Sequence, residues 1–371
     1  MNLLLIESVT AGAFDRPPDA ALLPEADAML GAMVAEVVAR PAEASPVLAT
    51  RVLRHHGLPV PWARCGETCI DCVLVPDGGW SRVWQGALAW ADAVWLVAPE
   101  TGGELETLSR AVDATGVRLL GCAADAVAVA ASKSATHVAL AGRVRQAEPV
   151  LHGAASGVLP SLGSAGHPTG WEAPAASSSG AWWVIKPDDG VAAEGVRRVT
   201  VPARGAGVAQ GCSKPPEAPP GCIVQPYIDG EPLSLCVLSD GREAHVLSVN
   251  RQHIEWHSDG RAQYLGGVTN ALPDRGRFAL LARAVQAAIP GLWGCWGIDC
   301  VLPADGQPVL IEVNPRLTTA FAHLREAIGM DLLGALFEIA AGGALPVAPV
   351  GHAVPFTLTS GGARHTCAGR T

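Results

Sequence analysis

The sequence predicts an α/β fold for its N-terminal part and an α+β arrangement for the part that follows. Residues 3–120 alternate short apolar runs, which are typical of strands, with Ala-rich segments whose apolar residues recur at helical spacing. Strands that alternate with helices indicate a parallel, doubly wound sheet, because parallel strands need crossover connections. Beyond residue 181, apolar runs are separated by short Gly-containing turns, which favours antiparallel hairpins.

The elements of the N-terminal part follow this alternation in chain order. The predicted strands are Leu3–Ile6, Cys72–Val75, Ala93–Val97 and Val117–Leu120. The predicted helices are Glu25–Arg40, Pro46–His56 and Glu104–Ala114. Ligands bind doubly wound sheets at the carboxyl ends of the strands. We therefore expect Glu7–Thr10 and Pro99–Gly103 to lie at a ligand-binding edge.

The later part of the chain contains longer polar interruptions. Residues 152–180 and 202–221 are rich in Gly, Pro, Ser and Ala, which is typical of loops or disorder. Helices are predicted at Ala124–Gly142, Arg277–Ala288 and Phe321–Ala341. A strand running into a turn is predicted at Trp182–Gly190 and again at Ile223–Glu231, and an alternating strand follows at Leu233–Leu238. The expected division is an N-terminal α/β domain at 1–122, a central subdomain at 123–222, a C-terminal subdomain at 223–350 and a disordered tail at 351–371.

Composition places the chain among folded, non-membrane proteins. Its 371 residues are 49% hydrophobic and 16% charged, which excludes a disordered protein and suggests two or three domains. A net charge of -9 gives no reason to expect a nucleic-acid or anionic-membrane partner. No uncharged apolar run approaches the ~20 residues of a membrane helix. Met1–Ile6 is too short, and is followed too closely by Glu7, for a signal peptide, so we expect a cytoplasmic protein.

The most informative segment is a predicted hairpin at residues 297–316. Asp305-Gly306 between two apolar runs is a strong signal for a two-residue turn. Pairing outward from that turn places Asp299 opposite Glu312, with Asn314 on the same face. The opposite face is apolar and is predicted to face the core; it carries Ile298, Cys300, Leu302, Val309, Ile311 and Val313.

The facing acids predict a metal site. Two carboxylates directly opposed on neighbouring strands repel each other, and a divalent cation removes that repulsion. Asp299, Glu312 and Asn314 offer the hard oxygen atoms that Mg²⁺ prefers, and Mn²⁺ accepts the same ligands. The alternative is that the acids are solvated charges of a surface hairpin. The apolar back face and the neighbouring Asn favour the metal site.

Lysine is almost absent from the chain. Only Lys133, Lys186 and Lys214 occur, against 23 arginines, so ordinary surface charge is supplied by Arg. A lysine is a compact charge on a long stem, which suits phosphate binding. Lys186 lies at a strand end before an Asp-Asp-Gly turn, and Lys133 lies in a polar break within an Ala-rich segment. Lys214, in a Pro-rich loop, fits a surface residue.

Taken in order, these motifs resemble the ATP-grasp ligase superfamily. The chain has one lysine at Ser132-Lys133 and a second in Val184–Pro187, a hinge strand at Val224–Glu231, and then the strand pair that carries Asp299 and Glu312–Arg316. The resemblance implies an N-terminal parallel α/β domain and two α+β subdomains that clasp ATP. Glu7–Thr10 and Asn314–Thr319 are similar, more narrowly, to segments of tyramine–glutamate ligases, which act in methanofuran-type coenzyme biosynthesis.

The resemblance also implies roles for individual residues. Lys133 and Lys186 would contact ATP phosphates, and Asp299, Glu312 and Asn314 would hold Mg²⁺ between the β- and γ-phosphates. The backbone of Pro226, Tyr227 and Ile228 would contact adenine, with Gln225 near its amino group. Glu231, or Asp229 if the turn shifts, would accept hydrogen bonds from the ribose.

The implied reaction joins a carboxylate to an amine. The carboxylate would attack the γ-phosphorus, and the amine would then displace phosphate from the acylphosphate. Arg316 or Arg251 would stabilise the developing charge. The expected substrates are L-glutamate and tyramine or tyrosine, or another amino acid and amine pair; a homodimer is also expected among such relatives. Arg316 or Arg325 could meet the glutamate carboxylate, and Trp256 or Tyr264 the aromatic acceptor.

Two departures from the family pattern and one cysteine motif keep other functions open. Ser132 stands where many relatives have an acid, and Gly297 stands where D-alanine–D-alanine ligases carry an arginine. A nucleotide-binding regulator without turnover is therefore an alternative. Cys65, Cys69 and Cys72 have the spacing that holds an iron–sulfur cluster in radical enzymes. Against a cluster, Cys72 begins an apolar, strand-like run.

Overall fold

The structure is a computed structural model that describes residues 1–40, 45–62, 70–149, 181–191, 193–201 and 215–358. These residues form three sheets, of five, three and six strands. The predicted N-terminal α/β architecture, followed by α+β structure, is confirmed.

The N-terminal sheet is parallel throughout and has the order β3-β2-β1-β4-β5. Its strands are β1 (Asn2–Glu7), β2 (Ala49–His55), β3 (Ile70–Val75), β4 (Ala93–Val97) and β5 (Arg118–Leu119). Leu3, Leu4, Leu5 and Ile6 of the central strand are fully buried, because helices cover both faces of a doubly wound sheet.

The predicted helix at Pro46–His56 is wrong, because most of this segment forms β2. Val52, Leu53 and Arg54 are consecutive and all fully buried. A helix on the surface of the domain would bury only one face, whereas an inner strand buries both. Arg54 is tolerated there because its Nη1 donates to Asp27 Oδ1 at 2.8 Å.

Four helices flank this sheet: α1 (Ser8–Ala11), α2 (Leu23–Val38), α3 (Trp80–Trp90) and α4 (Glu104–Asp113). The sequence pattern did not predict α3. Helix α2 buries Met29, Leu30 and Met33 on the face that packs against β1. The same helix contacts the helical turn Thr319–His323, so it connects the parallel sheet to the C-terminal part of the chain.

The predicted single helix at Ala124–Gly142 is two helices, α5 (Ala124–Ala130) and α6 (Lys133–Ala139). The break falls at Ser132, whose backbone is extended. Its hydroxyl accepts a hydrogen bond from Ala135 N at 3.1 Å, as an N-cap residue does. The cap makes Lys133 the first residue of α6.

The three-stranded sheet is antiparallel, with the order β7-β6-β8. Its strands are β6 (Ala181–Pro187), β7 (Arg197–Val201) and β8 (Cys222–Pro226). We call this sheet the lid sheet. Backbone hydrogen bonds join it to the tip of a hairpin in the larger sheet: Arg198 N donates to Gly260 O at 2.7 Å, and Ala262 N donates to Val196 O at 3.0 Å.

The six-stranded sheet has the order β13-β12-β9-β10-β11-β14. Its strands are β9 (Glu231–Ser239), β10 (Ala244–Trp256), β11 (Ala262–Leu272), β12 (Gly294–Leu302), β13 (Val309–Asn314) and β14 (Val354–Thr357). The expectation of a disordered tail from residue 351 is wrong for Val354–Thr357, which pairs with β11. Residues 359–371 lie outside the described part of the chain.

Helices α7 (Arg277–Ala288), α8 (Leu324–Ile328) and α9 (Leu332–Ala340) accompany this sheet. The bounds of α7 are those predicted. The predicted helix at Phe321–Ala341 is interrupted, because Gly329 adopts a left-handed conformation (φ 67°) that ends α8. Asp331 then caps α9 by accepting from Gly334 N at 3.0 Å. No described helix has both the length and the apolar character needed to span a membrane.

The predicted register of the 297–316 hairpin is confirmed at the acids, although the turn differs from the prediction. The strands end at Leu302 and begin again at Val309, so the connection is longer than two residues. Nearest the turn, Val301 faces Val309; a β-bulge then shifts the pairing, so that Asp299 faces Glu312. The bulge also corrects the assignment of faces, because Ile311, predicted to lie in the core, lines a cavity instead.

Candidate active site

One large cavity lies between the lid sheet and the six-stranded sheet. Most of the predicted site residues line it, namely Lys133, Lys186, Gln225, Pro226, Tyr227, Ile228, Asp299, Glu312, Asn314 and Arg316. They come from α6, β6, β8, β12 and β13 and from the segments that follow β8 and β13, so the fold gathers residues that are up to 183 positions apart in sequence. The predicted Asp229, Glu231 and Arg251 are not among its lining residues.

The two facing acids lie side by side in this cavity. Burial and the neighbouring Glu312 carboxylate raise the pKa of Asp299 well above its usual range. Burial also acts on Glu312, but the charges of Lys133 and Lys186 outweigh it and lower its pKa to about 2. While no metal ion is bound, charge is therefore disfavoured on Asp299 and favoured on Glu312. A metal ion that binds the pair displaces any proton that it carries.

The donor set around Asp299 fits a hard divalent cation. Gln252 Nε2 donates to Asp299 Oδ1 at 3.1 Å, and Asn314 Nδ2 donates to Asp299 Oδ2 at 3.2 Å. These bonds fix the carboxylate, as second-shell hydrogen bonds do in metal sites. Asp299, Glu312 and the amide oxygen of Asn314 together offer only oxygen ligands, which suits Mg²⁺ or Mn²⁺. The sequence pattern did not single out Gln252, which lies on a strand far from the hairpin.

Both predicted lysines are buried beside the acids. Lys133 Nζ lies 3.3 Å from Glu312 Oε2 and donates to Gly190 O at 2.9 Å. Lys186 Nζ donates to Ile311 O at 3.3 Å, and burial lowers its pKa to about 8. Two ammonium groups in a cavity wall attract phosphate oxygens strongly.

Ser132, the first departure from the family pattern, has a clear structural role. Its hydroxyl donates to Asp188 Oδ2 at 2.6 Å, and Ser134 N donates to Asp188 Oδ1 at 2.8 Å. Lys133 N donates to the Asp188 carbonyl oxygen at 3.0 Å. Asp188, which follows β6 of the lid sheet, thus provides a carboxylate next to the start of α6. The hydrogen bond from Ser132 holds α6 against this carboxylate. Lys133 is positioned without an acidic residue before it.

The second departure, Gly297, is fixed by packing. A Cβ atom at this position would lie 2.5 Å from Thr318 Cγ2, a distance that real contacts do not reach. A larger residue, such as arginine, therefore does not fit at residue 297 unless the Thr318 side chain moves. Arg316 brings a guanidinium to the cavity instead.

The predicted adenine-binding segment follows β8 along the cavity wall. Gln225 Nε2 donates to Ala147 O at 2.8 Å, so its side chain is held in place. Tyr227 N donates to Trp182 O at 3.0 Å, which ties the segment to the lid sheet. Pro226 has no N–H, so the donor that this stretch can still offer to a base is Ile228 N.

Arg251 and Glu231 contact each other outside the cavity. Arg251 Nε donates to Glu231 Oε1 at 2.5 Å. Side chains alternate along a strand, and Gln252 faces the cavity, so Arg251 points to the other face of β10. The predicted contacts of Arg251 with the reacting group and of Glu231 with ribose are therefore not supported. Asp229 is exposed on the turn before Glu231.

Arg316 connects the cavity to the parallel sheet. Its Nε and Nη2 donate to Glu100 Oε2 at 3.1 and 2.9 Å, and its Nη1 donates to Leu317 O at 3.0 Å. Burial alone would lower its pKa, but the charge of Glu100 raises it. Glu100 lies just after β4, within the predicted edge segment Pro99–Gly103. Glu7, in the other edge segment, instead caps α1 by accepting from Val9 N and Thr10 N.

Glu25 is a cavity residue that the sequence did not indicate. Among the described residues of the N-terminal α/β region, it alone lines the cavity. It lies in the first turn of α2, a position where carboxylates are common for reasons of helix stability, so the pattern carries no functional signal. Tyr264, one of the two aromatic residues suggested for the acceptor, lines the same cavity, as does Trp256.

The iron–sulfur hypothesis depends on residues that the structure does not describe. Cys65 and Cys69, like Lys214, lie outside the described residues. Cys72 lies on β3, where burial raises the pKa of its thiol. A raised pKa disfavours the thiolate that a metal cluster needs.

Family comparisons agree with the order of the site motifs. A model of the pre-ATP-grasp domain matches residues 48–127, and a model of the ATP-grasp domain matches residues 161–320. The two ranges together cover more than half of the chain. The chain belongs to the ATP-grasp superfamily. The second range includes Lys186, the Gln225–Ile228 segment and all three predicted metal ligands of this ATP-grasp protein.

Individual relatives are more distant. The tyramine–L-glutamate ligase of Methanocaldococcus jannaschii is 34% identical over 105 residues, which are 28% of this chain and 32% of that enzyme. The chain thus matches about a third of the length of this curated relative. An ATP-grasp superfamily protein from Archaeoglobus fulgidus aligns over 96% of this chain and 99% of its own, at 21% identity and a TM-score of 0.60. The L-amino acid ligase of Bacillus licheniformis aligns over 91% and 73%, at 16% identity and a TM-score of 0.50.

Proposed function

We propose that this ATP-grasp protein is an ADP-forming ligase that joins a carboxylate to an amine through an acylphosphate. The observation that carries the proposal is the opposed pair Asp299–Glu312, set beside two buried lysines in one cavity. The acid pair is suited to a divalent cation, and the lysines are suited to phosphates. The cavity therefore has the charge pattern that a nucleoside triphosphate with its metal ion requires.

Each group has a defined task in the proposed reaction. Mg²⁺, held by Asp299, Glu312 and Asn314, would neutralise charge on the β- and γ-phosphates. Lys133 and Lys186 bind phosphate oxygens, and Ile228 N donates to the adenine edge. The substrate carboxylate attacks the γ-phosphorus, and ADP leaves. Arg316 lies at the cavity wall next to the acid pair and stabilises negative charge as the amine displaces phosphate.

The proposed substrates are L-glutamate and tyramine, or tyrosine in place of tyramine. The match to the tyramine–L-glutamate ligase of M. jannaschii supports this pair, and the resemblance of the Asn314–Thr319 segment to such ligases agrees with it. We place the reaction in methanofuran-type coenzyme biosynthesis. Another amino acid and amine pair would use the same nucleotide and metal contacts.

A coupled assay tests the proposal. Purified protein is incubated with ATP and Mg²⁺, with glutamate and tyramine supplied together and each omitted in turn. ADP release should require both substrates, and mass spectrometry should detect one γ-glutamyl amide per ADP. ADP release with neither substrate, or only with another pair, would refute the assigned substrates.

A nucleotide-binding regulator is the second candidate. The pairing of Arg316 with Glu100 favours it, because a guanidinium already neutralised by a buried acid attracts a second anion less strongly. Tight binding of ATP and Mg²⁺ without any product in a broad screen of amines and acids would support this alternative over the ligase.

A further inference from the structure

The cavity continues beyond the acid pair into a corner formed by Glu25, Thr319 and Tyr264, which we call the acidic corner. Thr319 Oγ1 donates to Glu25 Oε2 at 3.1 Å. The two residues are 294 positions apart and meet because α2 packs against the helical turn Thr319–His323. The bond fixes the direction in which the carboxylate faces.

Glu25 has no cationic partner within the described part of the protein. No described Arg, Lys or His nitrogen lies within 4.0 Å of its carboxylate, whereas Glu312 in the same cavity has Lys133 as a neighbour. Arg316 is the cation whose charge acts on Glu25, but its Nε and Nη2 already donate to Glu100. A partly buried carboxylate without a cation is costly, and a bound cation would remove that cost.

The walls next to Glu25 are largely apolar. Tyr264 is partly buried and lines the same cavity as Glu25; burial and then the charge of Glu25 raise the pKa of its phenol. Ile254, which pairs with Tyr264 across β10 and β11, and Ala320, which follows Thr319, line the same cavity. The ligand that matches these groups is a primary ammonium on an aromatic or otherwise apolar body. An ammonium donates three hydrogen bonds, and Glu25 offers the charged acceptor.

We propose that Glu25 binds the ammonium group of the amine acceptor and that Tyr264 packs against the acceptor's apolar body. This inference rests on the proposed ligase function and assigns its acceptor subsite. The acidic corner and the acid pair line the same cavity as the proposed phosphate contacts, so the acceptor held by Glu25 shares the cavity in which the acylphosphate forms. The ammonium gives up one proton to the Glu25 carboxylate before its nitrogen attacks the acylphosphate carbon and displaces phosphate. Glu25 thereby determines specificity for an amine over a neutral analogue.

Steady-state kinetics of Glu25→Gln test the assignment. Loss of a charge-assisted hydrogen bond is worth about 1.5–3 kcal/mol, so we expect the KM for tyramine to rise roughly 10- to 100-fold. The KM values for ATP and glutamate should stay within about twofold, because their proposed contacts lie elsewhere. Glu326→Gln is the matched control: Glu326 is exposed on α8 and does not line the cavity, and its variant should behave as the wild type.

Calorimetry with an uncharged analogue separates charge recognition from packing. Tyramine and tyrosol share ring and chain, but tyrosol carries a hydroxyl in place of the ammonium. In the presence of Mg²⁺ and a non-hydrolysable ATP analogue, the wild type should prefer tyramine, and Glu25→Gln should lose most of that preference. Binding of the ATP analogue itself should be unchanged, which verifies that the variant is folded.

The outcomes distinguish this inference from the proposed function. If glutamate and tyramine are ligated but Glu25→Gln leaves the tyramine KM unchanged, the acceptor subsite is wrong and the ligase stands. A rise in the glutamate KM instead would assign the corner to the donor and overturn the inference. If no ligation occurs, calorimetry decides: a tyramine preference that disappears in Glu25→Gln supports the corner, and no preference in the wild type overturns it.

Discussion

Two buried acidic sites of this protein use the same chemical group in opposite ways. Glu36 on α2 is 5% exposed and accepts from Arg325 Nε and Nη2, both at 2.7 Å, and from the backbone N–H groups of Leu332 and Leu333. Asp299, in contrast, faces another acid across a strand pair, and the charge of Glu312 raises the pKa of Asp299.

The difference separates a structural acid from one suited to a ligand. The protein supplies a cation and four hydrogen-bond donors to the Glu36 carboxylate, and these bonds join α2 to the start of α9. The protein supplies a cation to Glu312 but none in contact with Asp299 among the described residues. A proton or a bound cation must therefore compensate the charge of Asp299. Whether the protein supplies all the hydrogen-bond and ion-pair partners of a buried acid is therefore a better guide to its role than burial alone.

The largest expected effect is loss of activity in Asp299→Asn. The substitution removes a predicted metal ligand, and charge stabilisation at a transferring phosphoryl group is worth roughly 10²–10³-fold or more in rate. Stability without metal should be unchanged or higher, because the asparagine removes repulsion from Glu312. ADP release and urea unfolding without Mg²⁺ measure the two quantities.

Asp305→Asn is the matched control for this prediction. Asp305 belongs to the same hairpin but is exposed, where it pairs with Arg145. Its variant should keep the wild-type rate within about twofold, since exposed ion pairs contribute little. If the unfolding free energy of Asp299→Asn falls by as much as its activation free energy rises, Asp299 is a structural acid like Glu36.

The same contrast explains what the sequence could predict. The predicted metal ligands come from one hairpin, so turn and alternation signals sufficed to bring Asp299 opposite Glu312. The predicted turn was shorter than the turn in the structure. The predicted pairing of the acids is nevertheless correct, because a bulge near Ile311, which the sequence did not show, shifts the register. Glu25 and Gln252 reach the cavity through packing between distant elements, and no local pattern reports such contacts.

Errors in predicted secondary structure have related causes. The segment Pro46–His56 looks helical by composition, but an inner position in the sheet overrides propensity. Ala124–Gly142 reads as one helix until the capping bond of Ser132 is known. The order of the ATP-binding motifs predicted the fold class correctly, because those motifs keep their order even where local elements differ.

A smaller effect is expected from Glu36→Gln, which tests the structural side of the comparison. The variant removes the buried charged partner of Arg325, which keeps only Asp331 Oδ1 at 3.5 Å, and it weakens four hydrogen bonds. Breaking a buried ion pair costs about 3–5 kcal/mol, and the partial exposure of Arg325 favours the lower end. We expect about 3 kcal/mol less stability in urea unfolding, with little change in KM values of folded protein. A loss below about 1 kcal/mol would contradict the distinction.

Glu7 extends the comparison to pH, because it is a buried acid that accepts from backbone N–H groups and has no ion-pair partner among the described residues. Burial raises its pKa from 4.5 to about 7. The folded state therefore holds the proton more tightly than the unfolded state. Its contribution to stability is complete below pH 4.5 and is lost as pH rises to about 7, by about 3 kcal/mol in all. Unfolding free energies of wild type and Glu7→Gln at pH 4.5, 6 and 7.5 should differ in this slope, and parallel curves would exclude it.

The smallest effect concerns Ser132, which couples α6 to Asp188 and so places Lys133 beside Glu312. Ser132→Ala removes an N-cap and one hydrogen bond to Asp188, and should cost about 1 kcal/mol in urea unfolding. Ser132→Asp restores the acid of many relatives but sets a second carboxylate against Asp188, where the serine hydroxyl now donates. We expect it to weaken ATP binding more than Ser132→Ala does, because repulsion moves the start of α6 and with it the lysine. Calorimetric titration with ATP and Mg²⁺ compares the two, and tighter binding by Ser132→Asp would show that the lid-side Asp188 does not replace the missing acid.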